Sequence, residues 1–262
     1  MMTFLGYPPE SLQLFFLVFI RISVLLFLFP VFGSPVFPEL AKAGLALILS
    51  LALFPMVPAG LSIFPGSLVG TVVLMASELI IGLILGLMIR MFFAAVQLAG
   101  QLISFQMGFA VINVLDPQTG SQVSILDQFA YWVVLIVFLL MNGHHFMIGA
   151  LVESFQVLGV GMLTLKEGLY RQVLQQSVDM FVLAVKIGAP GIVALLFVSA
   201  AFGLCAKFAP QMNILIAAFP VQIVVGLFFF GAALDIIVTV TRTFVRQLPQ
   251  LLISLLHLMS AG

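Results

Sequence analysis

The sequence predicts an all-α, polytopic integral membrane protein with about six long hydrophobic helices, proline-rich connections and one re-entrant loop. Three observations carry that expectation. Hydrophobic residues make up 63% of the 262-residue chain and charged residues only 7%, with a mean hydropathy of +1.33, whereas roughly a quarter of a soluble domain is charged. Apolar runs cover residues 12–29, 41–57, 67–100, 123–141, 173–206 and 214–234, each close to or above the roughly 20 residues that a helix needs to cross about 30 Å of hydrocarbon. The ten-residue alternation of a β-barrel is missing, and because lipid offers the backbone no hydrogen-bond partner, such runs must be helices.

The N-terminal stretch "MMTFLGYPPESLQ" has no basic region ahead of the first run and reads as retained rather than as a cleaved signal. The first two runs are followed by "FPVFGSPVFPE" and "FPMVPAGLSIFPG", in which Pro30, Pro35, Pro38, Pro55, Pro58 and Pro65 stop helices and hold the chain extended. These connections are oily as well as rigid, which fits contact with partner subunits, with lipid headgroups as the alternative. The third run would extend roughly 50 Å at about 1.5 Å per residue, more than one straight crossing needs. It also carries Gly66-x-x-x-Gly70 and Gly82-x-x-x-Gly86, smooth strips for close approach by another helix.

After the fourth run, residues 142–172 are weakly amphipathic and end in the polar "KEGLYRQ", the natural boundary between two halves, 1–165 and 166–262. The fifth run contains "KIGAPG", where Gly188, Pro190 and Gly191 predict a hinge, since proline removes a helix hydrogen bond. The sixth run is expected to end near Leu234. Beyond Asp235 a short helix with Arg242 and Arg246 on one face is expected to stop at Pro249, before a last apolar turn around His257. The Lys and Arg divide between the two sides with only a small excess around "KEGLYR" and the tail, a weak signal that leans to a cytoplasmic C-terminus.

Several functional classes fall away on composition. A net charge of zero lacks the clustered cations that nucleic acid requires. A lone Cys205 excludes an internal disulfide and any multi-cysteine metal site. No H-E-x-x-H, G-x-S-x-G or phosphate-binding glycine loop is present, and His144 and His145 are adjacent rather than four apart. The expectation is therefore a protein that is not an enzyme, with no catalytic residue, metal or cofactor.

The charges inside the apolar runs are Arg21, Glu78, Arg90, Asp179 and Lys186. Each is costly in lipid unless it faces protein or water, so each is a candidate for ion pairing or partner contact. Asp179 and Lys186 share a face but lie about 10 Å apart along the axis, so each needs a partner elsewhere. A stand-alone proton-coupled carrier, with Glu78 or Asp179 as relay, is the rival reading. It calls for an inverted repeat with paired broken helices, and only one clear break, at Pro190, is visible. A scaffold without a pore is a third.

Between the third and fourth runs lies "FQMGFAVINVLDPQTGSQ", residues 105–122. Its second half is turn chemistry, while Phe105, Met107, Phe109, Val111 and Ile112 are residues that water-exposed loops avoid. Non-helical backbone at membrane depth survives only inside protein or along an aqueous path. An apolar constriction blocks ions by dewetting, and methionine deforms readily around irregular shapes. A gate and a merely packed loop both fit this pattern.

The segments "NVLDPQTGSQVSIL" (113–126), "NGHH" (142–145) and "KFAPQMNILIAAFP" (207–220), with the earlier "LALILSLALFP" (45–55), resemble the hallmark segments of the flagellar biosynthetic protein FliR family over nearly the whole chain. Leu115 and Lys207 stand where that family often has Phe and Arg, changes that keep each residue's character. The resemblance implies a core subunit of the flagellar type III protein export gate in the bacterial inner membrane, within the basal body. Its first part, 1–165, would be FliP-like and its second, 166–262, FliQ-like. The implied partners are FliP and FliQ in a hetero-oligomeric pore complex, FlhB and FlhA, exported flagellar proteins and membrane lipids. The loop would plug the pore, with Phe105, Gln106, Met107, Gly108, Phe109, Val111, Asn113, Asp116, Pro117 and Gly120 as plug or gate residues. Phe105, Met107 and Phe109 would seal, while Asn113, Asp116 and Pro117 shape the return to the next helix.

Overall fold

With no water in the hydrocarbon, a spanning chain must satisfy its peptide groups internally, and the computed structural model does so with helices. It describes residues 9–33, 38–58, 67–109, 125–208, 211 and 214–260, among which there is no strand. In chain order the helices are α1 (Pro9–Leu28), α2 (Glu39–Leu53, continued by a 3-10 turn at Phe54–Met56), α3 (Leu68–Gln106), α4 (Ile125–Leu140), α5 (Gly143–Val157), α6 (Glu167–Phe208) and α7 (Ile214–Met259). Five are long and apolar enough to cross a membrane, or six if α4 and α5 form one broken span. Asn142, in the left-handed region at φ 58°, interrupts that pair. The chain is thus an all-α, polytopic membrane protein.

Three boundaries differ from the sequence expectation. α3 does not stop near Gly100 but runs through Phe105 and Gln106. Its stop signal is Gly108 at φ +84°, whose N–H donates to the Phe105 carbonyl at 3.1 Å: a left-handed glycine ends the helix where a side chain would be strained. α7 ends neither near Leu234 nor at Pro249, but continues to Met259. Asp235 is exposed, so it costs the helix no burial. Past Pro249, Leu252, Leu255, Leu256 and Met259 are all buried, so close packing of this ridge carries the helix past a proline that costs roughly 3 kcal/mol in a helix interior. α6 passes through Pro190 as one helix.

Contacts gather the chain into two compact units, the first comprising Met1–Met91, Asn142–Ser177 and Val245–Gly262. Its core includes Leu17, Val18, Ile22 and Leu25 of α1 and Ile81, Leu85 and Met88 of α3. The Gly82/Gly86 strip faces α1. A Cβ on Gly82 would lie 2.8 Å from the Arg21 carbonyl oxygen, and one on Gly86 2.6 Å from Leu28 Cβ, so only glycine permits this approach. α2 lies along α1, with Lys42 Nζ donating to Glu39 at 3.1 Å and sitting 5.8 Å from the centre of the Phe27 ring. The last turns of α7 belong here too, and the Thr164 N–H donates to the Met259 carbonyl at 2.9 Å.

The second unit comprises Phe92–Met141 and Val178–Phe244. Phe93 packs edge-on against Tyr131 and Phe138 of α4, and Phe92 stacks on Phe244 of α7 with ring centroids 3.9 Å apart. Gly100 of α3 meets the first turn of α4, where an added Cβ would lie 2.8 Å from Asp127 Cα and 2.9 Å from the Leu126 carbonyl oxygen. The chain therefore leaves α3 at Gln106 and re-enters α4 at Ile125 with the two helices backbone to backbone.

Candidate functional site

Two arrangements of side chains stand out, one in each unit. In the second unit, the end of α3 is held in a joint built from glycines. Met107, the residue after the last helical one, is fully buried, and its N–H still donates to the Ile103 carbonyl at 3.0 Å. It lies over Gly226 of α7, where a Cβ would come within 2.3 Å of Met107 Cγ and 2.5 Å of its sulfur. One residue on, Gly108 lies under the Phe219 ring, and a Cβ there would be 2.4 Å from Phe219 Cε1. Phe219 and Gly226 are seven apart, hence on one face of α7. A turn before the joint, Ile103 rests on Gly191 of α6, 3.2 Å from the position of an added Cβ, and a Cβ on Gly188 would lie 3.6 Å from the Ala99 carbonyl oxygen.

This arrangement sorts the expected plug residues. Phe105 is 68% exposed and Met107 wholly buried, so two residues expected to seal together have opposite surroundings. Phe105 projects from the last turn of α3, whereas Met107 anchors that turn. Gln106 and Phe109 are half-buried. Val111, Asn113, Asp116, Pro117 and Gly120 lie outside the described residues.

In the first unit, Arg21 and Glu78 form a wholly buried ion pair. Arg21 Nε donates to Glu78 Oε2 at 2.5 Å and its Nη2 to Oε1 at 3.0 Å. Nη1 donates to the Ser154 carbonyl and hydroxyl, both at 3.0 Å, and to the Leu158 carbonyl at 3.5 Å, while the guanidinium carbon sits 4.3 Å from the centre of the Phe155 ring. Glu78 Oε1 also accepts the Gly161 N–H at 2.6 Å. Gly161 has φ +80°, and a Cβ there would meet Leu74 Cδ2 at 2.3 Å. The pair thus ties α1, α3, α5 and the turn after α5 together, with its donors and acceptors largely matched, the condition under which a buried pair holds.

The remaining charges of the apolar runs do not join this centre. Arg90, Asp179 and Lys186 are exposed on the chain. His144 and His145 touch edge-on at the start of α5, ring centroids 4.2 Å apart, and among the described residues no three His, Cys, Asp or Glu side chains come together as a metal site would need.

No local motif marks Phe219 and Gly226, or the Ser154, Phe155, Leu158 and Gly161 shell, in the sequence. A spacing of seven between Phe219 and Gly226 was the one available signal, and it is common in any apolar helix.

A family model for bacterial export proteins, family 1, matches residues 12–248. The chain is 34% identical over 233 residues to the flagellar biosynthetic protein FliR of Bacillus subtilis (strain 168), covering 87% of this chain and 88% of that protein. It is 29% identical over 248 residues to FliR of Pectobacterium carotovorum subsp. carotovorum, covering 95% and 94%. To FliR of Escherichia coli (strain K12) it is 29% identical over 226 residues, covering 86% of each.

Proposed function

The chain belongs to the bacterial export proteins, family 1, as a member of the FliR family, and on that premise we propose that it is a core subunit of the flagellar type III protein export gate. It helps to form and seal the pore through which unfolded flagellar proteins leave the cell. The observation that carries this reading is the excursion between α3 and α4. The chain departs at a fixed joint, Met107–Gly108, and returns to α4 against Gly100 of the helix it left. An oily segment held at both ends of one helix pair suits a plug, which must yield without detaching.

In this reading the segment 105–122 closes the pore. Phe105, Phe109 and Val111 supply apolar surface, and Asn113, Asp116, Pro117 and Gly120 shape the return. Met107 and Gly108 hold its base. Residues 1–165 and 166–262 act as FliP-like and FliQ-like parts, Gly188, Pro190 and Gly191 give α6 a place to bend, and the complex lies in the bacterial inner membrane within the basal body. Its partners are FliP and FliQ, with FlhB and FlhA, exported flagellar proteins and lipid. The many large apolar side chains exposed on α6 and α7, among them Phe181, Phe197 and Phe228, are then covered by partner helices or lipid. Lys186 on α6 and Arg90 on α3, both exposed, are available for polar contacts with those partners.

The carrier reading fares worse, because Glu78, one of its relay candidates, is enclosed by Arg21 and the Gly161 N–H. The test is complementation of a strain lacking the native gene. The intact chain restores filament export, and a chain lacking residues 111–120 assembles but makes the membrane leaky to ions. Assembly without leakage, at the intact level of export, removes the plug from the account.

A further inference from the structure

We propose that Phe219 and Gly226 of α7 are positioning residues for the gate. Together they form a notch that grips Met107 and Gly108 and fixes the point from which the segment leaves α3. This inference rests on the reading of that segment as a plug.

Two independent contacts make the notch. At Gly226 the missing side chain is the space that Met107 occupies: a Cβ would sit 2.3 Å from Met107 Cγ, 2.5 Å from its sulfur and 3.0 Å from its methyl. At Phe219 the relation is reversed, because there the ring on α7 fills the space left by the absent side chain of Gly108. Knob and hole thus alternate, Met107 into α7 and Phe219 toward α3, over two turns of α7. Gly108 needs glycine twice over, for the ring and for its φ of +84°.

Interlocking of this kind removes the freedom that a helix end ordinarily has. Frayed ends open at little cost, whereas a buried side chain seated in a close-packed notch does not. Met107 is backbone-bonded to Ile103, and Ile103 lies on Gly191, so the joint is braced by α6 as well as α7. A plug that starts here starts from a Met107 and Gly108 held in place. Methionine suits the role because its unbranched side chain threads a glycine notch that a β-branched residue would not enter.

The test uses the full chain assembled with its normal partners and reads ion leakage together with the amount of complex. Variants are Gly226→Val, which fills the notch, Met107→Ala, which empties it, and the two combined. A chain lacking residues 111–120 serves as the leaky reference. Overfilling or emptying a packed site shifts the closed state by on the order of tenfold or more. Each single variant is therefore expected to raise leakage at least about tenfold with assembly intact. The double variant, in which valine refills the space that methionine vacates, is expected to return toward the intact level. A reference chain that leaks beside tight single variants overturns the notch but keeps the plug. A reference chain that does not leak overturns the plug itself. Gly226→Ala, whose one methyl meets the same Met107 atoms, is read in the same way. If neither Gly226 variant assembles, the notch is a packing feature only and the proposal fails.

Discussion

Arg21 and Glu78 lie 57 residues apart in sequence, both fully buried, and their side chains meet through two hydrogen bonds, with the guanidinium of Arg21 over Phe155. Removing one partner leaves the other charge stranded where neither water nor lipid serves it. Arg21→Met is expected to destabilise the chain by about 3–5 kcal/mol. Thermal unfolding of the purified complex in detergent reads this directly, and Arg21→Met combined with Glu78→Leu is expected to recover most of the loss. A double variant no better than the single one shows that the contacts to Ser154, Leu158 and Gly161 matter more than the pairing.

The Gly82/Gly86 strip is used within the chain, against α1. Gly86→Ile places a side chain where Leu28 already lies 2.6 Å from the Cβ position, so overpacking on the order of 1–3 kcal/mol is expected, seen as less folded protein in the membrane. Gly149 offers the control, since nothing lies within 4 Å of its Cβ position. Gly149→Ala is expected to be neutral or to stabilise by up to about 1 kcal/mol.

Phe105 and Met107 should separate in a thiol-labelling experiment. With Cys205 replaced by Ser, Phe105→Cys in the isolated chain is expected to react quickly with a maleimide and Met107→Cys slowly, as 68% and 0% exposure require. In the complex, Phe105→Cys is expected to become protected, because the plug reading places it against other subunits. Equal labelling at both positions in the isolated chain contradicts the joint described for Met107.

Pro249 lies inside α7. Replacing it by alanine restores a helix hydrogen bond without disturbing the buried ridge of Leu248, Leu252 and Leu255. Pro249→Ala is expected to leave stability unchanged or raise it, by up to about 3 kcal/mol. A drop in the thermal midpoint contradicts a continuous helix there.

The sequence made the helices legible because lipid forbids the alternatives, and apolar length alone then marks a span. Helix ends were harder to read. Proline looked like a stop at position 249, yet the leucines beyond it supply a buried ridge that only tertiary structure reveals. Phe105 and Gln106 read as the start of the loop, while the stop at Gly108 depended on its positive φ. The buried charges were visible as costly residues, but nothing local to Arg21 points to Glu78 across 57 positions, nor to the turn at Gly161. The joint was least legible: Met107 was readable as soft and oily, and its seat on Gly226 belongs to another helix more than a hundred residues away.

Closure of a pore by residues following the Met107–Gly108 joint is read from conductance. The complex containing the intact chain, purified with its partners and inserted into planar bilayers, would be compared with one lacking residues 111–120. Few or no openings are expected for the intact complex, and frequent, long openings for the shortened one at equal protein inserted. Equal conductance in the two preparations would contradict closure by these residues, and would place the barrier in other parts of the assembly.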